Sequence, residues 1–293
     1  MAAGELIFIE GDNHARFPDS HCLFIDDEVP AIIDPATRKE YLEDLERKSG
    51  IGLVINTHYH VDHTRYDDLF PGAEIVANAI DAPAIESIDE MSRAVGVEEV
   101  PWLPIWKQVM VKRWGFSEQR VARKISDGDE ISLGSNTVRF IHTPGHTAGH
   151  TCIEFVEKRA VFLADIDLGP FGPWYANRGS DIEDFLRSIE HLKFISADTW
   201  YMSHGEGVLH GDITDKLDAF AGVIHERDHR VLDFLSTERS WQEIVGATLI
   251  YRTRWEPHEL FDFFEGMMVG KHLDRLERQG LVEREGDRYR STR

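Results

Sequence analysis

Residues 56–66 read NTHYHVDHTRY and place His58, His60, Asp62 and His63 within six consecutive positions. The apolar run GLVIN just before them reads as a buried strand, and DHTRYDDLF after it reads as the first turns of a helix. Side chains two apart in extended chain share a face, so His58 and His60 can point the same way. Asp62 and His63 lie one loop further on and are free to turn toward a neighbouring position. The four donors therefore fall into two pairs, each of which needs distant partners to hold a metal ion. A solvated polar loop is the alternative reading of this stretch alone.

Working outward, the first half alternates short apolar runs with turn residues: ELIFIEG, HCLFIDD and PAIIDPA read as strands, and KEYLEDLERKSG as a helix closed by a glycine. AEIVAN reads as a further strand, and residues 79–116 as mostly helical with several tryptophans. DEISLGSNTVRFIHTPGH and TCIEFVEKRAVFLAD read as two strand pairs turning near Gly134 and near Glu157 and Lys158. The spacing of Ser180 and Glu183 predicts a capping box opening the helix DIEDFLRSIEHLKFI, and TWYMSHGEG returns to strand and loop. After about residue 212 strand signals nearly vanish. Three helical patterns follow, over 213–236, 240–251 and 257–279, the middle one opened by a capping box from Ser240 to Glu243. The tail LVEREGDRYR alternates around Gly286 as a short hairpin.

Three more stretches share the texture of the first. HTPGHTAGH places His146 after a Pro-Gly turn, FLAD leaves Asp165 at the end of an apolar strand, and YMSHGEG does the same for His204. As a set and in this order, THYHVDH, HTPGHTAGH, FLAD and YMSHG resemble the metal motifs of the metallo-β-lactamase superfamily, over about residues 5–212. The resemblance implies an α/β fold, the αββα sandwich, with metals at one edge. Carried over position by position, it implies His58, His60 and His146 on one metal, Asp62, His63 and His204 on a second, and Asp165 bridging both. Asp34 in IIDPA resembles the family's structural Asp near the site. His142 and His150 have no ligand position left and are expected to hydrogen-bond around the ligands. Asp167 is a rival ligand. Ala164 stands where the family usually has Gly, which a negative φ would tolerate.

The chemistry of the donors agrees with that assignment. Imidazole and carboxylate bind Zn²⁺ well, and two cations lower the pKa of a water held between them enough to make it a nucleophile at neutral pH. The expected cofactor is two divalent metal ions, Zn²⁺ first, with Fe or Mn as alternatives. Asp62 is expected to be catalytic as well as a ligand, orienting the nucleophile. With only Cys22 and Cys152, far apart, neither a disulfide scaffold nor a cysteine metal site is implied.

The motif wording is similar to glyoxalase II, in which GHTAGH is typical, but its glutathione-binding helices are not recognisable here. Instead MMVGKHLDRLERQGLVERE resembles the winged-helix appendage of a β-lactamase-like branch that includes acyl-carrier thioesterases and an endoribonuclease. The expected organisation is a catalytic domain over 1–212 and a small, mainly helical, winged-helix-like domain over 213–293. With 53 acidic against 32 basic residues, a net charge of -21 disfavours nucleic acid and anionic membranes as partners. No segment approaches a membrane span and no signal peptide is visible, which suggests a cytoplasmic protein. The expected function is hydrolysis of an ester, thioester or lactone of a small-molecule acyl substrate, with Trp174 and Tyr175, or Trp102, Trp106 and Trp114, as candidates for an apolar pocket and Tyr175 or another loop residue as an oxyanion donor. An RNA phosphodiesterase is the alternative, and a homo-oligomer is left open.

Overall fold

The computed structural model describes residues 4–292. The first sheet has the order β1 (Glu5–Ile9), β2 (Cys22–Asp26), β3 (Ala31–Ile33), β4 (Leu53–Asn56), β5 (Glu74–Asn78) and β6 (Arg123–Ile125). Its first three strands are antiparallel and β3 to β6 run parallel. Between these strands lie α1 (Lys39–Ser49), α2 (Val61–Thr64), α3 (Ala82–Glu86), α4 (Ile88–Val95) and α5 (Leu103–Lys112). The edge strand β6 carries only three residues and was invisible in the sequence pattern, because two of its side chains are exposed. Helix α1 stops where Gly50 takes a left-handed conformation (φ 63°) and returns its N–H to the Glu46 carbonyl.

The second sheet runs β7 (Glu130–Ser132), β8 (Thr137–His142), β9 (Thr151–Phe155), β10 (Ala160–Phe162), then, after α6 (Ile182–Leu192), β11 (Thr199–Tyr201) and β12 (Val208–His210). The two hairpins turn where Gly134 and the Glu157-Lys158 pair predict. Helix α6 differs from expectation at its start: Asp181, not Ser180, caps it by accepting from the Asp184 N–H. The Ser180 hydroxyl is instead drawn to the His146 carbonyl, 2.6 Å away.

Period-two patterning builds the layers. In β2, Leu23 and Ile25 join an inter-sheet core with Ile33, Ile55, Phe140, Ile153 and Phe162, while Cys22 and Phe24 face outward. That outer face packs on Leu42, Met91 and Trp106 of the first helical layer. The outer face of the second sheet, with Cys152, Val161 and Trp200, packs on α6 and on the C-terminal helices. The result is a four-layer α/β sandwich with helices outside both sheets.

The C-terminal helices are α7 (Thr214–Phe234), α8 (Trp241–Gly246) and α9 (His258–Arg278). The predicted capping box is present, with Ser240 and Glu243 bonding reciprocally. The two-residue β13 (Arg239–Ser240) pairs with β15 (Arg288–Ser291), which pairs with β14 (Val282–Glu285). Ile244, Met268 and Leu273 share one apolar core with Phe185 and Trp200. Among the described residues no helix is long and apolar enough to cross a membrane.

Candidate metal centre

All seven expected donors sit at the ends of strands or at the start of a helix, along one edge of the sandwich. His58 and His60 follow β4, Asp62 and His63 occupy the single turn of α2, His146 lies between β8 and β9, Asp165 follows β10, and His204 follows β11. The structure gathers them into two groups, His58, His60, His146 and Asp165 in one and Asp62, His63 and His204 in the other, each with its donor atoms within 4.8 Å of one another. Asp165 faces both. Its Oδ2 lies 3.1 Å from His146 Nε2, and its Oδ1 lies 3.0 Å from His63 Nε2 and 3.4 Å from His204 Nε2.

Outside contacts fix which nitrogen of each imidazole faces the centre. His63 Nδ1 meets the Asp34 carboxylate at 2.8 Å, His146 Nδ1 meets the Trp174 carbonyl at 2.9 Å, and His204 Nδ1 meets the Ala15 carbonyl at 2.6 Å. His58 reaches the same carboxylate through a relay: Thr57 Oγ1 donates to Asp34 Oδ2 (2.7 Å) and lies 3.0 Å from His58 Nδ1. With the outward nitrogens carrying the protons, the inward ones present lone pairs. His60 is reversed, with Nδ1 inward and Nε2 beside the Asn177 amide at 2.8 Å.

The donor set fits divalent cations. The inward nitrogens of His58, His60 and His146 approach one another to 3.0 to 3.2 Å, close enough for one cation to take all three once it displaces the proton they share. His63 Nε2 and Asp165 Oδ1, both buried, lie 3.0 Å apart without hydrogen-bond alignment, each aimed into the space between the groups. Burial, reinforced by neighbouring imidazoles, holds His58 and His60 well below the ordinary histidine pKa and so keeps them neutral. Burial alone would lower His204 too, but Asp165 and Asp62 push it up to about 9, and Asp165 with Asp34 raises His63. A cation on the second group would displace those protons.

The surroundings sort the remaining expectations. His150 is buried, its pKa pushed down to about 3 by desolvation, and its Nε2 accepts the Asp165 N–H at 3.3 Å. His142 Nε2 lies 2.8 Å from the Ala148 carbonyl. Asp167 belongs to neither group; its carboxylate accepts the Gly169 N–H. Ala164 departs from the expected negative φ, with φ 51°, because the chain turns sharply after β10 to aim Asp165 between the groups. Tyr175 is not an oxyanion donor: it is fully buried, and its hydroxyl meets Arg227 and His272 on the C-terminal helices. Trp106 belongs to the core and Trp102 packs on Phe263 of α9, whereas the Trp174 ring stands 5.5 Å from both His60 and His146. Asn177 and the Trp174 and Ala15 carbonyls were not anticipated. A backbone oxygen carries no signature in sequence, and one asparagine in a Gly-rich loop carries little.

A model of the metallo-beta-lactamase superfamily matches residues 16–204, a span holding all seven donors. The chain belongs to the metallo-beta-lactamase superfamily. Similar members include a Beta-lactamase-like protein 2 homolog of Caenorhabditis elegans, 25% identical over 198 residues (68% of this chain, 55% of that protein). A hydroxyacylglutathione hydrolase of Methylococcus capsulatus is 28% identical over 170 residues (58% and 54%). The chain thus spans about half the length of the curated relatives it matches. The metallo-beta-lactamase family protein TTHA1429 from Thermus thermophilus shares the fold across 99% of both chains, with a TM-score of 0.72 and 19% identity. That likeness of fold extends through the C-terminal helices.

Proposed function

We propose that this chain is a metal-dependent hydrolase that opens an ester, thioester or lactone bond of a small-molecule acyl substrate. The observation that carries the reading is Asp165, whose two oxygens face the two donor groups at once. Two bound divalent cations, Zn²⁺ first with Fe or Mn as alternatives, would supply an acidified water as nucleophile and polarise the scissile carbonyl. Asp62, whose Oδ2 lies 3.6 Å from His204 Nε2 within the second group, would ligate a cation there and orient that water. Asp34, Thr57 and the Trp174 and Ala15 carbonyls keep the imidazole lone pairs pointed inward. Trp174 beside His60 and His146 offers an apolar wall for an acyl arm. A hydroxyacylglutathione hydrolase among the relatives favours a thioester, because the acyl group of such a substrate sits on the glutathione sulfur.

We read residues 1–212 as the catalytic unit and 213–293 as a winged-helix-like module. The order α7, α8, α9 and then a hairpin whose strand β15 also pairs with β13 supports that reading. The same order keeps RNA phosphodiester cleavage as the competing function. Against it stand the net charge of -21 and the pairing of Arg288 with Glu238. The deciding experiment offers metal-loaded protein a panel of thioesters, lactones, a β-lactam and single-stranded RNA, with and without the changes Arg288→Ala and Arg290→Ala. Acyl turnover that survives both changes is expected. Cleavage of RNA alone, lost with those arginines, would overturn the acyl reading.

A further inference from the structure

The segment between Asp165 and α6 touches the first donor group at three points: the Trp174 carbonyl at His146 Nδ1, the Asn177 amide at His60 Nε2, and Ser180 Oγ donating to the His146 carbonyl. Its other side is gripped by the C-terminal helices. Arg227 of α7, only 1% exposed, donates to the carbonyls of Phe171 and Pro173 and, at 2.8 Å, to the Tyr175 hydroxyl. Its guanidinium lies over the rings of Phe171 and Tyr175, 4.7 and 5.4 Å from their centroids. Tyr175 Oη also meets His272 of α9 at 2.7 Å, Trp174 Nε1 donates to the Tyr251 hydroxyl at 2.7 Å, and Lys271 of α9 donates to the Ser180 carbonyl at 2.8 Å. Gly172 (φ 79°) is pressed so close to α7 that a Cβ there would lie 2.5 Å from Val223.

Among the described residues no carboxylate forms a direct ion pair with Arg227. A buried guanidinium without one needs oxygen acceptors to offset the cost of its desolvation, and here the loop supplies them. The bonding is therefore mutual: the loop satisfies the arginine, and the arginine fixes the loop. The second group is held from elsewhere, His63 by Asp34 and His204 by the Ala15 carbonyl.

We propose that Arg227 is a positioning residue for the first metal group, so that the C-terminal helices, through the loop 171–180, set the affinity for one ion of the pair and not the other. The proposal rests on the metal reading of the site and is independent of the substrate. It is tested by titrating metal-free, full-length protein with Co²⁺, following visible absorption in competition with a chelator, for wild type, Arg227→Lys, Arg227→Met and Tyr175→Phe. One of the two dissociation constants should rise about tenfold in both Arg227 variants while the other stays put, in line with the effect of losing a ligand's outer partner. Lysine should not rescue, because a single ammonium cannot reproduce a planar fork reaching three acceptors. Two unchanged constants, or two that weaken equally, would overturn the proposal, since equal weakening marks general loosening of the fold. Should the Arg227 variants fail to fold, Tyr175→Phe decides, because it removes one acceptor and keeps the ring: a smaller shift confined to one constant supports the assignment, and no shift overturns it. A wild-type chain that binds no cobalt would instead remove the metal reading beneath it.

Discussion

Asp34 engages the site three times with one carboxylate: it accepts the Thr57 N–H at 2.8 Å, the Thr57 hydroxyl at 2.7 Å, and faces His63 Nδ1 at 2.8 Å. Through these contacts it orients a donor of each group, His63 directly and His58 by way of Thr57. The residue is fully buried and itself left-handed, with φ 51°. Replacing it by Asn puts an N–H donor where an acceptor is required. Asp34→Asn should weaken metal binding roughly 10- to 100-fold, measured by chelator competition, with the fold checked by circular dichroism. Unchanged affinity in a folded variant would show that the imidazoles hold their orientation without it. At this scale the sequence was informative for the donors themselves, because His and Asp at strand ends are conspicuous. It was mute on Tyr175, whose ring in a Gly- and Pro-rich loop reads the same whether it faces substrate or α9.

At the scale of elements, the strand ends create the site, and their turns carry strain where the donors are aimed. Ala164 closes β10 with φ 51° and is buried in the inter-sheet core. A left-handed conformation costs an L-residue about 1 to 2 kcal/mol, and a buried methyl contributes about 0.8 kcal/mol, so Ala164→Gly should stabilise the chain by roughly 0.5 kcal/mol. Denaturant unfolding of the metal-free variant measures this. A lower midpoint than wild type would mean that the methyl's packing outweighs the backbone relief. The strands and long helices were legible because their apolar periods are regular over several residues. The exposed β6 lacked such a period, and the start of α6 was misplaced because the Ser180 hydroxyl serves the His146 carbonyl rather than its own helix. A tertiary contact of that kind outcompetes a local capping signal without leaving a trace in the local sequence.

For the whole molecule, the four layers bring donors from residues 58 to 204 to one edge, and the C-terminal helices close over the second sheet and onto the loop beside that edge. Topology makes the two-group arrangement: neighbouring ends of β4, β10 and β11 project donors that are far apart in the chain. The set of motifs let the fold be read from sequence, through their resemblance to the metal motifs of the metallo-β-lactamase superfamily. The grip of α7 and α9 on the Trp174 loop was not legible, because it runs through carbonyl oxygens and one buried arginine. In the proposed dinuclear centre, Asp165 joins the two donor groups. The most direct test of this bridging is the metal content of purified, metal-loaded protein, by elemental analysis against protein concentration, for wild type and Asp165→Ala. About two ions per wild-type chain and about one or fewer in the variant are expected, because the variant lacks the shared carboxylate. Two ions retained by Asp165→Ala, or a single ion in the wild type, would contradict the bridging.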